Sequence, residues 1–271
     1  MTWRPWLVLA AAVATAACGA PSLKLPSASG PPASDGVDAL TQALTTCRGV
    51  RSLTAQVATS GRVNAQRIRA RLQVGVVQPA SAYIEAPAPF GAPIFVFAAQ
   101  NDDATLLLPR DRRAIEHGRP ADVLEAIAGV PLAPALLRTT LTGCLADGET
   151  RTAANQPEPH WRVFPGGDEV YLHRDGDADP WRLVVITHRG QGLQWRAEYR
   201  DFVNDLPRSI RLISTPPDRF DLRLALSDIE INVPIPPETF RVQIPAGTTP
   251  LTIEELRSGG PLADRSRKSN D

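Results

Sequence analysis

The chain reads as an α+β protein: a strongly curved antiparallel sheet of roughly ten strands with short helices packed in its concave face. Three observations predict this. Apolar and polar residues alternate with period two over many short segments. Turn formers separate those segments at hairpin spacing, and helical periodicity is confined to the start of the body and one stretch in its middle. The chain is 43% hydrophobic, enough for a globular core, and its 29 basic residues balance 29 acidic ones, so no basic excess points to nucleic acid.

At the N-terminus, Arg4 precedes an apolar run from Leu7 to Ala14. A spanning helix needs about 20 residues, so this run is too short to cross a bilayer and residues 1–17 read as a secretory signal. Thr15-Ala16-Ala17-Cys18 resembles a bacterial lipobox, in which the cysteine is lipidated and becomes the mature N-terminus. The resemblance makes Cys18 the site of a membrane lipid anchor, and Gly19, in place of a retaining Asp, implies the outer membrane. The alternative is an ordinary secreted protein. Residues 18–36 are Pro, Ser, Gly and Ala with few large apolar side chains, a composition that predicts a flexible lipidated linker. The domain is then expected over 37–256, with a polar disordered tail over 257–271.

Within the body, a first helix is expected over Val37 to Cys47. Ile68, Ala70, Leu72, Val74 and Val76 share one face of a strand opposite Arg67, Arg69, Arg71 and Gln73. Ala121 to Ala128 and Pro134 to Gly143 carry helical stripes, with Pro120 and Pro134 where a first turn tolerates proline and Gly129 and Gly143 where helices stop. Further on, Leu193, Trp195, Ala197 and Tyr199 alternate with Gln194, Arg196, Glu198 and Arg200. Phe220, Leu222, Leu224 and Leu226 repeat the pattern. Short helices cannot bury their stripes alone, so they are expected against the apolar side of the sheet.

Apart from Cys18, the cysteines are Cys47 and Cys144. In an oxidising exported compartment a lone pair reads as one structural disulfide. Two free buried thiols, or a redox pair without C-x-x-C spacing, are the alternatives. The inward rows nominate Leu72, Val74, Phe95, Phe97, Trp195, Leu212 and Leu224 as the wall of a hydrophobic cavity. Composition does not separate an open cavity from a core filled by the helices.

Ala88-Pro89-Phe90-Gly91, the strands Ile94 to Ala99 and Ala104 to Pro109, Glu116-His117-Gly118, and Leu124 through Gly129-Val130-Pro131-Leu132 to Leu141-Thr142-Gly143 together resemble the central region of LolB-type outer-membrane lipoproteins. These belong with the LolA carriers. The likeness runs over roughly residues 40 to 245 in element order, with Phe90 where the pattern commonly has Leu and Thr140 where it commonly has Trp. It implies an unclosed half-barrel lidded by short helices around a space for acyl chains, on a lipoprotein at the periplasmic face of the outer membrane. Lipid acyl chains or lipoproteins are the implied cargo and a periplasmic carrier protein the implied partner.

No catalytic constellation is found: there is no Gly-x-Ser-x-Gly elbow, His-Glu-x-x-His or phosphate-binding glycine loop, so neither an enzyme nor a cofactor is expected. His117, His160, His173 and His188 lack ligand spacing. Asp175-Gly176-Asp177-Ala178-Asp179-Pro180 opens like a calcium loop, but Pro180 and Ile186 stand where its glycine and bidentate Glu belong, so a hairpin turn is expected and no metal. Two functions follow. One is lipid or lipoprotein binding for transfer or insertion; the other is a scaffold lipoprotein with a filled core that binds another envelope protein.

Overall fold

The computed structural model describes residues 21–64, 66–146, 149–190 and 193–259. The signal segment and Cys18 lie outside them. Thirteen strands form one open sheet, in chain order β1 (Ser52–Val63), β2 (Gln66–Val77), β3 (Ser81–Ala86), β4 (Phe95–Gln100), β5 (Asp103–Leu108), β6 (Arg113–Gly118), β7 (Trp161–Phe164), β8 (Glu169–His173), β9 (Arg182–Gly190), β10 (Leu193–Val203), β11 (Leu206–Thr215), β12 (Phe220–Ile231) and β13 (Thr249–Pro250). Their order across the sheet is β13-β6-β5-β4-β3-β2-β1-β12-β11-β10-β9-β8-β7. All neighbours are antiparallel except β13 on β6. Two meanders thus meet at β1 and β12, and the ends stay apart, which makes the curved sheet an unclosed one. The sheet holds thirteen strands against the roughly ten expected; β7 and β13 are too short to show a clear alternation.

Among the described residues four helices accompany the sheet: α1 (Gly36–Ala43), α2 (Pro120–Ala128), α3 (Pro134–Thr142) and α4 (Ile253–Gly259). The helix expected over Val37 to Cys47 ends at Ala43 and gives way to a tighter turn, Thr46–Gly49. Proline opens both α2 and α3 where its missing N–H costs nothing. Each ends on a glycine in the left-handed region, Gly129 at φ 74° and Gly143 at φ 67°. At Gly129 a Cβ would lie 2.4 Å from Val63 Cγ1, so the glycine also lets α2 close onto the β1–β2 hairpin. Residues 257–259 of the expected tail are helical, at the end of α4, and its residues 260–271 lie outside the described ones. Leu256 is buried and Arg257 reaches Glu125 on α2 at 3.6 Å.

The segment expected as a loose linker is a strap over its described part. Pro21 to Asp35 lies on the outer face of β7–β10, where Leu23, Leu25 and Ala28 pack on Val163, Tyr171 and Val185. Asn155 donates to the carbonyl of Ala28 (2.8 Å) and Ala33 N donates to Ala154 O (2.8 Å). At the end of the strap Asp35 accepts two hydrogen bonds from Arg162, at 2.6 and 2.8 Å. That guanidinium holds the Asp35 carboxyl below the usual carboxylate range and itself stacks on Trp181. Composition concealed the strap because two leucines and a few polar contacts dock it, and their partners lie far along the chain.

Candidate functional site: the lidded concave face

The period-two pattern puts the even positions of β2 and the odd positions of β10 on the same side of the sheet, and the register lines them up in rows. Val74, Ile84, Phe97, Leu106 and Ile115 stand side by side from β2 to β6. Ala197, Leu212, Leu222, Gly61 and Ile68 do so from β10 to β2. A third row holds Tyr199, Ile210, Leu224 and Thr59. Nearly every side chain in these rows is apolar, which makes the concave face one continuous greasy surface.

All seven residues nominated from the sequence lie on this face. Val74, Phe95, Phe97, Trp195 and Leu212 are buried, and Leu72 and Leu224 are partly buried against the same core. Val123, Leu124 and Ile127 of α2 and Leu137 and Leu141 of α3 belong to that core as well. In this conformation the helix pair therefore occupies the concavity. Trp195 is fixed on both sides, 4.1 Å from the His188 ring and 6.3 Å from the Phe220 ring by centroid. His188 also bonds Asp168 at 2.8 Å; burial nevertheless pulls its pKa below the ordinary histidine value.

The lid helix α3 is unlike an ordinary core helix. It packs on β2, β3 and β11, yet Arg138, Thr139, Thr140 and Thr142 are all buried along with its leucines. Thr139 and Thr142 satisfy their hydroxyls on carbonyls of their own helix. Three other buried hydroxyls, Thr140 Oγ1, Thr59 Oγ1 and Tyr199 Oη, have no hydrogen-bond partner among the described residues. Tyr199 is fully enclosed, and burial pushes its phenol well above the ordinary tyrosine range. Its ring abuts the end of α3, 3.5 Å from where a Gly143 Cβ would be. Leaving a buried hydroxyl unpaired costs about 1–3 kcal/mol. Tyr199 belongs to the inward row read from the sequence, but whether its hydroxyl or that of Thr140 is paired is not written there, because a Thr or Tyr within an apolar stripe looks the same in either case.

The disulfide between Cys47 and Cys144 ties the far end of α3 to the turn after α1, with Cα atoms 5.5 Å apart. A cavity of about 440 Å³ opens beside it, lined by Val37, Leu40 and Leu44 of the α1 region and by Leu145. A smaller one of about 180 Å³ sits where the β1–β2 hairpin meets α2, between Val63, Ile68 and Ile127, with Glu125 and Arg219 at 3.2 Å on its rim. Phe90 is 89% exposed in the β3–β4 connection, which Arg110 holds by donating to the Phe90 and Ala92 carbonyls at 2.9 and 3.0 Å. The Asp175 to Pro180 segment is the β8–β9 turn. There Asp177 pairs with Arg174 at 2.7 Å and with His160 at 3.4 Å, and Asp175 lies 3.7 Å from His173. His117 is far from these, beside Asp103 on the surface.

No family model matches the chain, and no curated protein does. Among solved structures it is similar to a LolA-superfamily protein from Nitrosomonas europaea, at 13% identity and TM-score 0.48 over 76% of this chain and 97% of that one. It is also similar to a putative outer membrane lipoprotein-sorting protein domain from Vibrio parahaemolyticus, at 13% identity and TM-score 0.43 over 76% and 96%. The lipoprotein LppX of Mycobacterium tuberculosis aligns at 15% identity and TM-score 0.32 over 74% and 96%.

Proposed function

We propose that this protein is a lipid-anchored lipoprotein of the bacterial cell envelope, at the periplasmic face of the outer membrane. It binds acyl chains of lipids or lipoproteins between the concave face and the α2–α3 lid, for their transfer or insertion. The observation that carries this reading is the set of buried hydroxyls at Thr59, Thr140 and Tyr199, without a partner among the described residues, on the apolar sheet face and the lid helix that packs on it. A core selected only for stability would replace them with apolar groups of the same shape. An acylated ligand brings ester or carboxyl oxygens that accept from those hydroxyls while its chain lies along the apolar rows. A periplasmic carrier protein is the partner that would deliver such cargo. The burial of Phe95, Phe97 and Trp195 against the helices favours the second reading, a filled-core scaffold that binds another envelope protein.

The two readings part on Tyr199→Phe combined with Thr140→Val. Removing unpaired hydroxyls should leave the melting temperature unchanged or raised. Binding of a fluorescent fatty acid should weaken about five- to ten-fold, the worth of one net hydrogen bond. Native mass spectrometry of gently purified wild type should show non-covalent mass in excess of the lipidated chain that matches acyl lipid. A scaffold would carry no lipid beyond its covalent anchor, and its double variant would change in stability alone.

The anchor has its own test. Cys18→Ser should move the protein from the membrane to the soluble fraction, since several acyl chains at about 0.8 kcal/mol per buried methylene supply the attachment. Equal membrane retention of the substituted protein would remove the anchor from this proposal.

A further inference from the structure

We infer that the docked strap presses one particular surface of this protein, the groove beside the β8–β9 turn, against the bilayer that carries its anchor. This rests on Cys18 being the lipidated residue. Only Gly19 and Ala20 separate Cys18 from Pro21 in the sequence, and three residue steps span at most about 11 Å. Pro21 is not free to wander. Its carbonyl accepts a hydrogen bond from Arg200 at 2.6 Å. Immediately after it, Ser22 and the Leu23 amide bond the buried carboxylate of Glu198. The lipid attachment is thereby brought within a short reach of Arg200.

Arg200 lines a groove of about 480 Å³, together with Leu23, Trp161 and Phe202. Aromatic rings with one apolar side and a polar setting are the side chains that settle at a membrane–water boundary. Three arginines, Arg174, Arg182 and Arg200, and three aspartates, Asp175, Asp179 and Asp201, share the lining. Arg182 stacks on Phe202 at 5.0 Å, leaving its guanidinium edge for a phosphate. Such a balance suits headgroups that carry a phosphate and an ammonium together, and so a bilayer rich in zwitterionic phospholipid. Were the strap a free coil, the tether from Cys18 to Gly36 would have an r.m.s. length of roughly 20–25 Å and would impose no facing surface.

The test uses the full lipidated protein in phosphatidylethanolamine–phosphatidylcholine vesicles, with hydrogen exchange of residues 174–181 compared with the soluble Cys18→Ser form. The anchored protein should exchange there at least five-fold more slowly. Leu23→Ser with Leu25→Ser, still lipidated, should lose that protection because the strap comes away while the body stays folded. Wild type whose mass shows the lipid, but which exchanges at the soluble rate, would overturn the facing surface alone. Wild type with no lipid at Cys18 would overturn the anchor and the facing surface with it.

Discussion

Replacing Cys47 and Cys144 together by alanine should lower the melting temperature by about 10 to 20 °C. The bridge closes a loop whose ends are 97 residues apart, and in the chain-entropy view a loop of that size is worth about 4.7 kcal/mol. For a body of this length each kcal/mol shifts the midpoint by roughly 2–4 °C. The bridge also has a mechanical role. It fixes the end of α3 next to Gly143 to the turn after α1, and α1 packs on β8 and β9. If the lid lifts to admit an acyl chain, it must therefore open from its Pro134 end. Reduction should then speed uptake of a fluorescent fatty acid in stopped-flow while lowering the calorimetric midpoint. A midpoint shift under about 3 °C would mean that the reduced chain keeps the loop closed by packing alone.

Much of the sheet could be read from period two, because its signal is local. The alternation at Ile68 to Val76, Leu193 to Tyr199 and Phe220 to Leu226 fixes which side chains face inward, and the apolar residue at every second position does so. Proline and glycine mark α2 and α3 to within a residue. The parts that were not legible depend on partners far away in the chain. β13 is two residues long and exists only because Thr249 and Pro250 meet the edge of β6. Whether the concavity holds ligand or helix depends on how side-chain volumes from both elements add up, and no single segment contains that sum. The unpaired hydroxyls emerge only when every neighbour has been placed.

The strap is the clearest case. By composition Pro21 to Asp35 cannot form a core, yet it docks because a site for it was prepared on β10, some 175 residues away. Glu198 occupies an outward position of that strand, which the alternation assigns to solvent. Instead its side chain is fully enclosed. It accepts from Ser22 Oγ at 2.7 Å, from the Leu23 amide at 3.2 Å and from Arg196 Nε at 2.9 Å, with Arg200 at 3.7 Å. Arg196 also donates to Ser22, so sheet and strap share one network.

Glu198→Ala should consequently do two things at once. It leaves Arg196 and Arg200, each about a quarter exposed, as neighbouring cations without their shared carboxylate. Breaking a buried pair by removing one partner costs about 3–5 kcal/mol, and the partial exposure of the arginines places this one near the lower end. The Leu23 amide loses its acceptor as well. What remains to hold this end of the strap is the contact of Leu23, Leu25 and Ala28 with Val163, Tyr171 and Val185, with the Asn155, Ala154 and Arg162 bonds farther along. Lys24 sits exposed near the start of the strap and reports its docking, because trypsin needs an extended, detached segment to cut there. Cleavage after Lys24 should be slow in wild type and at least ten-fold faster in Glu198→Ala, with Glu198→Gln between them since it keeps the shape and one acceptor oxygen. Equal cleavage rates in wild type and Glu198→Ala would show that the remaining contacts hold the strap without Glu198. The buried carboxylate would then have no part in fixing the strap to the sheet.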